Sequence, residues 1–536
     1  MESYVILLCV VIIAAGATFH KSWIPLPLIL VITGMIISYF LNFPPIELKP
    51  ELVLDIFLPM LLYQVSTVTS WKDIKKNKRP IALLSVGHVL FITALVAWVI
   101  HSLAPNIGWP LAFVLGAVIS PPDDVAIVAI AEKIRMPSRL VTILEGEGML
   151  NDVMALILFR FALAAAITHQ FYVYQAIGSF FMIVIGETLY GYILANLLGK
   201  FRLRIHDPIL HMFISVITPF LAYLPAERLG GCGVLATVVT GFIMGNKYLV
   251  KFTPEFRIVA LSVWPALSFA IQSFLFLLIG LNLQSILTGI SVIPMAKLAM
   301  YTSSVIAVVI VGRFIWVYAS AYIVRFLFPF IRKTDPYPPW QYPFVVSWAG
   351  IRGSISLAAA FAVPTLPATI DGANASHLIL FLVFAVIVAT LVVQGLSLPW
   401  LLKVLNIQTF VKKEACNEHL AELSAREKMS NAVMQWLIQY KEVIKENPSL
   451  VDEVQLLIEN YTMLNKQLAE HIENHNIDTK INESIILQDR IYLLSQIIEI
   501  EKEELLRLWR IEEINYVVRN KLLMQLDHRA NYTIIV

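Results

Sequence analysis

From Val5 to Val404 the chain is a succession of long apolar runs cut by short polar interruptions. A helix needs about 20 mainly apolar residues to cross a bilayer. On that criterion about thirteen spans are predicted, near 4–19, 23–41, 51–69, 80–103, 111–131, 141–167, 174–199, 208–224, 231–246, 260–283, 292–324, 343–364 and 377–403. The longest of them call for tilted or broken helices. The first run, Val5 to Ala17, has no basic residues before it and no convincing cleavage site, so it reads as a span and not as a removed signal. Beyond Phe410 the pattern changes. Residues 411–536 alternate charged and apolar positions at helical spacing, as in the stretch from Glu483 to Glu499. Breaks are expected at Asn447-Pro448-Ser449 and His475-Asn476. The predicted fold is an all-α polytopic membrane protein. It has a transmembrane domain over 1–405 and a cytoplasmic helical domain of about four helices over 411–536, either regulatory or dimer-stabilising.

Composition agrees with this reading. Of 536 residues, 58% are hydrophobic and 15% charged, against about 25% charged in a soluble domain. The net charge of +2 gives no case for nucleic acid, because the basic residues sit in short loops. Those loops alternate. Lys21, the group from Lys72 to Arg79, Lys133 to Arg139, Lys200 to Arg204, Lys247 to Arg257 and Arg325 to Lys333 fall on one side. The opposite loops hold little beyond Lys49 and Arg228. The positive-inside rule then places the N-terminus outside a cell (inner) membrane and the C-terminus in the cytoplasm. Three widely spaced cysteines, Cys9, Cys232 and Cys416, suggest neither a disulfide framework nor a zinc site.

Three spans carry a polar break. The fifth contains Ser120-Pro121-Pro122-Asp123-Asp124. Each proline removes an N–H donor and obstructs helix continuation, and irregular backbone at membrane depth is tolerated only in protein or beside a water-filled cavity. The sixth contains Glu145, Glu147, Asn151 and Asp152, with Glu147 and Asn151 on one face and Gly148 and Asp152 on the next. The twelfth reads Gly350-Ile351-Arg352-Gly353, and a buried Arg352 needs an acidic partner. A carboxylate at bilayer depth costs roughly 3 kcal/mol even on the mildest scale. It can hold a proton or a small hard cation, but not both at once. That competition, with alternating access, suffices for exchange.

These segments resemble the NhaP-like sodium/proton antiporters of the monovalent cation:proton antiporter superfamily. The resemblance rests on Glu145 to Asp152, Ile119 to Ile127, Trp348 to Ser354 and Thr390 to Pro399, with Pro59 to Gln64 and Gly312-Arg313. It implies inverted repeats with broken crossing helices at Pro121, Pro122, Gly350 and Gly353. It implies a dimerisation bundle, a mobile core and elevator-like movement within a homodimer serving pH homeostasis. Asp152 would carry Na+ or H+, with Asp123 as second ligand and Asn151 and Asp124 beside them. Asn151 stands where electrogenic relatives carry an acid, which implies electroneutral one-for-one exchange. Glu147 and Arg352 would form a buried ion pair.

The sequence departs from the family at Pro122, Asp124, Gly148 and Gln64, where Thr, Pro, Ser and Glu are usual. With fewer ligand oxygens, K+ stands as the alternative to Na+, and Li+ as a further substrate. No nucleotide-binding loop or nucleophile elbow is present, so no cofactor is expected. Two other classes compete: a channel or ion sensor, and an intramembrane enzyme using Asp123 and Asp152 as an acid/base dyad. The enzyme reading gives the Asn-Asp and Arg352 segments no role, and a channel would pass uncoupled current where an exchanger needs coupled, saturable counterflow. His88 and His211 are expected to be hydrogen-bonded structural residues, and Asn374-Ala-Ser376 matches a glycosylation acceptor pattern.

Overall fold

The structure is a computed structural model, and it describes residues 26–40, 53–123, 136–168, 173–361, 363, 369–370, 373–443, 448–473, 500–505, 507, 522 and 526. The predicted first span, Asp124 and His475-Asn476 lie outside the described residues. The chain divides into two compact units, Met1–Lys412 and Lys413–Val536.

In the first unit every predicted span from the second onward meets a helix or a broken pair of helices. The elements are α1 (Leu26–Phe40), α2 (Leu58–Val68), α3 (Lys78–Leu103), α4 (Trp109–Ile119), α5 (Ser138–Thr168), α6 (Val173–Arg202), α7 (Pro208–Arg228) and α8 (Val234–Ile243). They continue as α9 (Pro254–Leu281), α10 (Met295–Leu327), α11 (Gln341–Trp348), α12 (Ser354–Phe361) and α13 (Ala375–Val404). Among the described residues, seven helices are long and apolar enough to cross a membrane. A two-residue antiparallel pairing of Thr369-Ile370 with Ala373-Asn374 precedes α13.

Local chemistry sets several helix starts. The Asp207 carboxylate accepts hydrogen bonds from the N–H groups of Ile209 and Leu210, with Pro208 as the first helical residue of α7. Asn374 Oδ1 accepts from the Ser376 N–H and so caps α13. π-Helical turns interrupt α3 at Leu83–His88, α10 at Ala319–Ile323 and α13 at Leu391–Gly395. None of these turns has a sequence signature comparable to a proline.

The helices pack in two groups. In the first, α1 lies along α9, and α8 packs against α2, α6 and α7. Gly34 and Gly280 meet at the α1–α9 crossing, where a Cβ on either would run into backbone of the other helix. Such close approach by small residues is how helices associate in lipid, where burial of apolar surface gives no advantage. In the second group, α4 packs against α3, α5, α12 and α13, and α10 against α3, α11 and α13. α6 is the most peripheral span, with Phe181, Met182, Ile185 and Leu197 exposed. On a soluble protein such a stripe would be a liability, whereas a membrane-spanning helix can present it to lipid or to another apolar helix.

The second unit begins within α14 (Ile407–Val443), and α15 (Pro448–Glu473) follows it, with Pro448 at its first position. Asn465 Nδ2 donates to Asn431 Oδ1 at 2.7 Å, joining the two helices as a hairpin.

Candidate functional site

The site lies in the second group, where two interrupted segments cross. α4 ends at Ile119, and Ser120 to Asp123 are non-helical. α11 ends at Trp348, and the chain runs irregularly until α12 begins at Ser354. The Asp123 N–H donates to the Ile351 carbonyl at 2.6 Å, so the two interruptions satisfy one another's backbone. This is the requirement that unsatisfied peptide groups meet at membrane depth. The Asp123 carboxylate fills the space that a side chain at position 353 would need, which makes glycine the residue that fits there. The Arg352 N–H donates to Thr390 Oγ1 on α13 at 3.1 Å, anchoring the second interruption from the other side.

α5 passes alongside as a continuous helix and carries the remaining polar groups. Asn151 is fully buried and donates through Nδ2 to the Pro122 carbonyl at 3.1 Å. Asp152 is 8% exposed. With Pro121 and Ser356 it lines a partly open cavity of about 10 Å³ whose other lining residues, such as Phe159, are apolar. The fold therefore brings Asn151, Asp152, Pro121, Pro122, Asp123, Gly350, Arg352 and Gly353 into one region.

The expected Glu147–Arg352 pair is replaced by another. Glu147 is gripped bidentately by Arg313 of α10, Nη1 to Oε1 at 2.6 Å and Nη2 to Oε2 at 3.0 Å. Both side chains are 1% exposed. Arg313 Nε also donates to the Val346 carbonyl of α11, and its stem passes over Gly350, where a Cβ would come within 2.6 Å of Cδ. One residue thus fastens α10 to α5 and α11. Arg352 is fully buried and donates through Nη1 to the Gly350 carbonyl at 2.9 Å, whereas its Nε and Nη2 make no hydrogen bond among the described residues. Sequence reasoning could have found the Arg313 role. It is a lone cation in an apolar span, as Arg352 is, and two such cations compete for one acid.

Other polar residues have structural posts. Gln64 Oε1 accepts from Ser268 Oγ at 2.9 Å, linking α2 to α9 within the first group and away from Arg352. His88 and His211 are both buried, but among the described residues neither ring makes a hydrogen bond, contrary to expectation. His211 is held instead by ring contacts with Phe252 and Phe256, at centroid distances of 4.5 and 4.0 Å. Glu187 was not singled out from the sequence. This buried acid of α6 accepts from the N–H groups of Cys232, Gly233, Leu235 and Ala236, and so serves the exposed donors at the start of α8. At the far end of α5, Arg160 pairs with Glu227 of α7, joining the two helix groups.

With this geometry in view, comparison with known proteins is informative. The family described as sodium/hydrogen exchanger, transmembrane, matches residues 5–404. The chain belongs to the sodium/hydrogen exchanger family. Members of this family are transporters and not enzymes, and the protein is a multi-pass membrane protein. A sodium, potassium, lithium and rubidium/H+ antiporter of Bacillus pumilus is 30% identical over 74% of this chain. The aligned region is 60% of that protein's length, so the chain spans less than two thirds of this exchanger relative. A Na+/H+ antiporter of Aphanothece halophytica is 30% identical over 80% of both chains. Among solved exchangers, the sodium proton antiporter of Methanocaldococcus jannaschii at pH 8 shares the fold. Its TM-score is 0.56 at 16% identity, over 76% of this chain and all of that one.

Proposed function

We propose that this protein is a secondary antiporter that exchanges Na+ for H+ across a cell membrane, one for one, with Asp152 as the shared carrier. The observation that carries the proposal is the division of labour on α5. The Glu147 charge is committed to Arg313, and the Asn151 amide is committed to the Pro122 carbonyl. Asp152 alone of these three faces the small cavity beside the crossing. An amide takes no proton in the physiological range, so one carboxylate serves both ions in turn and net charge need not move. Asp123 in the first interruption is the proposed second ligand, and Asp124 adds acidity next to it. Arg352 supplies fixed positive charge in the second interruption, offsetting the carboxylates when the cation leaves. Movement of the second helix group past the first, elevator-like and within a homodimer, would give alternating access. The N-terminus is proposed outside and the C-terminus in the cytoplasm.

Exchange of K+ for H+ is a second reading, favoured by one observation. Pro122 and Gly148 contribute no side-chain oxygen where a compact Na+ site would want one. The antiporter of Bacillus pumilus is named for potassium as well as sodium.

The test is internal pH in proteoliposomes after external addition of Na+, K+, Li+ or choline, with and without a K+/valinomycin clamp. Cation entry coupled to proton exit should alkalinise the interior for Na+ or K+, unchanged by the clamp. A response to choline, or a clamp-sensitive current without proton movement, would overturn the proposal in favour of a channel.

A further inference from the structure

Three arginines from three distant segments converge on one aspartate. Arg79 at the start of α3, Arg139 in the first turn of α5 and Arg325 near the end of α10 all reach Asp335, which follows the short helix Pro329–Thr334. The distances are 3.4, 2.8 and 2.7 Å. One carboxylate has about four lone-pair sites and could satisfy several donors, but among the described residues its single charge leaves two positive charges over. A structural ion pair needs one cation, not three. Arg325 is fully employed, donating also to the carbonyls of Asp335 and Ala321. Arg79 is not, since its buried Nε makes no hydrogen bond among the described residues.

The cluster borders a cavity of about 60 Å³. Arg79, Arg139, Arg325 and Ser320 form its polar side, and Leu84 and Val346 are among its apolar lining. From this geometry we infer a binding site for a phosphate-bearing anion at this end of the second helix group. Guanidinium forks match phosphoryl oxygens two at a time, and planar, bidentate recognition is what arginine supplies over lysine. The same chemistry is offered by an anionic phospholipid headgroup and by a soluble phosphate. All three arginines come from the basic loops, the side where anionic headgroups attract basic residues.

The test uses the full-length protein in neutral detergent. Thermal unfolding is followed during titration with phosphatidylglycerol or with inorganic phosphate, against phosphatidylcholine and chloride at matched ionic strength. A ligand that binds only the folded state raises the melting temperature saturably. Phosphatidylglycerol acting alone identifies a lipid headgroup, and inorganic phosphate acting alone a soluble ligand; either supports the site. Arg139→Gln leaves Asp335 with two arginines and should weaken the apparent affinity at least tenfold. Asp335→Asn removes the internal competitor and should strengthen it, even though the unliganded protein becomes less stable. A purely structural clamp would lower the melting temperature in both variants and leave the anion-dependent shift unchanged. That result, or no shift beyond the chloride control in the wild type, would overturn the inference. Should Asp335→Asn not fold, Arg79→Gln supplies the second variant, with weakened binding expected.

Discussion

At the scale of single residues, Glu147 and Asp152 of α5 have different proposed roles, and they should fail differently. Asp152→Asn should abolish cation-driven proton movement in proteoliposomes while leaving the thermal unfolding profile near that of the wild type. Proton-coupled flux retained by that variant would remove Asp152 from the carrier role. Glu147→Gln strands Arg313 among buried groups, and breaking such a pair costs roughly 3–5 kcal/mol. The double variant Glu147→Gln with Arg313→Gln should recover part of that loss, a coupling measurable in a double-mutant cycle. Arg352 should show no comparable coupling to Glu147. The need for a buried pair was legible in the sequence, because both arginines interrupt apolar spans. The choice between them was not, because it depends on how α10 crosses α5, and no one-dimensional spacing encodes that crossing.

Among the elements, the two interruptions were the clearest signal. Pro121-Pro122 and Gly350-Ile351-Arg352-Gly353 halt helices for reasons written in their own backbones. What remained hidden was their mutual dependence. Gly353→Ala should displace the Asp123 carboxylate, because the new methyl group and that carboxylate claim the same space. Loss of transport in a protein that still unfolds cooperatively is the expected outcome. The π-helical turns were equally hidden, since they arise where a helix adjusts to its neighbours. The arginine clamp at Asp335 gives a pH prediction with a definite sign. Burial would raise the Asp335 carboxyl, but the hydrogen bond and charge of Arg139, then Arg325 and Arg79, hold it below its ordinary value of 3.8. A depressed carboxyl lends stability that is complete above its unfolded-state value and disappears as pH falls through the lower folded-state value. Melting temperature should therefore be insensitive to this clamp between about pH 5 and 8. It should decline only in stronger acid, and Asp335→Asn should blunt that decline.

For the whole molecule, the periodicity of apolar runs revealed most of the architecture, and the basic loops pointed to a shared face. Arg79, Arg139 and Arg325, assigned to one side by charge pattern alone, do meet at a single aspartate. The grouping of helices into two packed sets was beyond reach, because it is determined by which faces carry small residues and by contacts between spans far apart in sequence. The transmembrane unit ends at Lys412, and the family match ends at residue 404. Removal of residues 413–536 should leave coupled exchange measurable in proteoliposomes and change its rate or its oligomeric stability. Complete loss of flux from a folded truncated protein would instead make the tail part of the transport machinery.

The bonds that hold the crossing belong to peptide groups. Asn151 grips the carbonyl of residue 122, and residue 123 lends its N–H to Ile351. Every amino acid supplies that carbonyl, and every one but proline that N–H. A lineage can therefore rewrite the codon for residue 122, introducing a hydroxyl where Pro122 now stands, without dismantling the scaffold around it. On the proposed site, ion preference would be a heritable trait that selection could adjust one substitution at a time, while the framework passed unaltered between descendants.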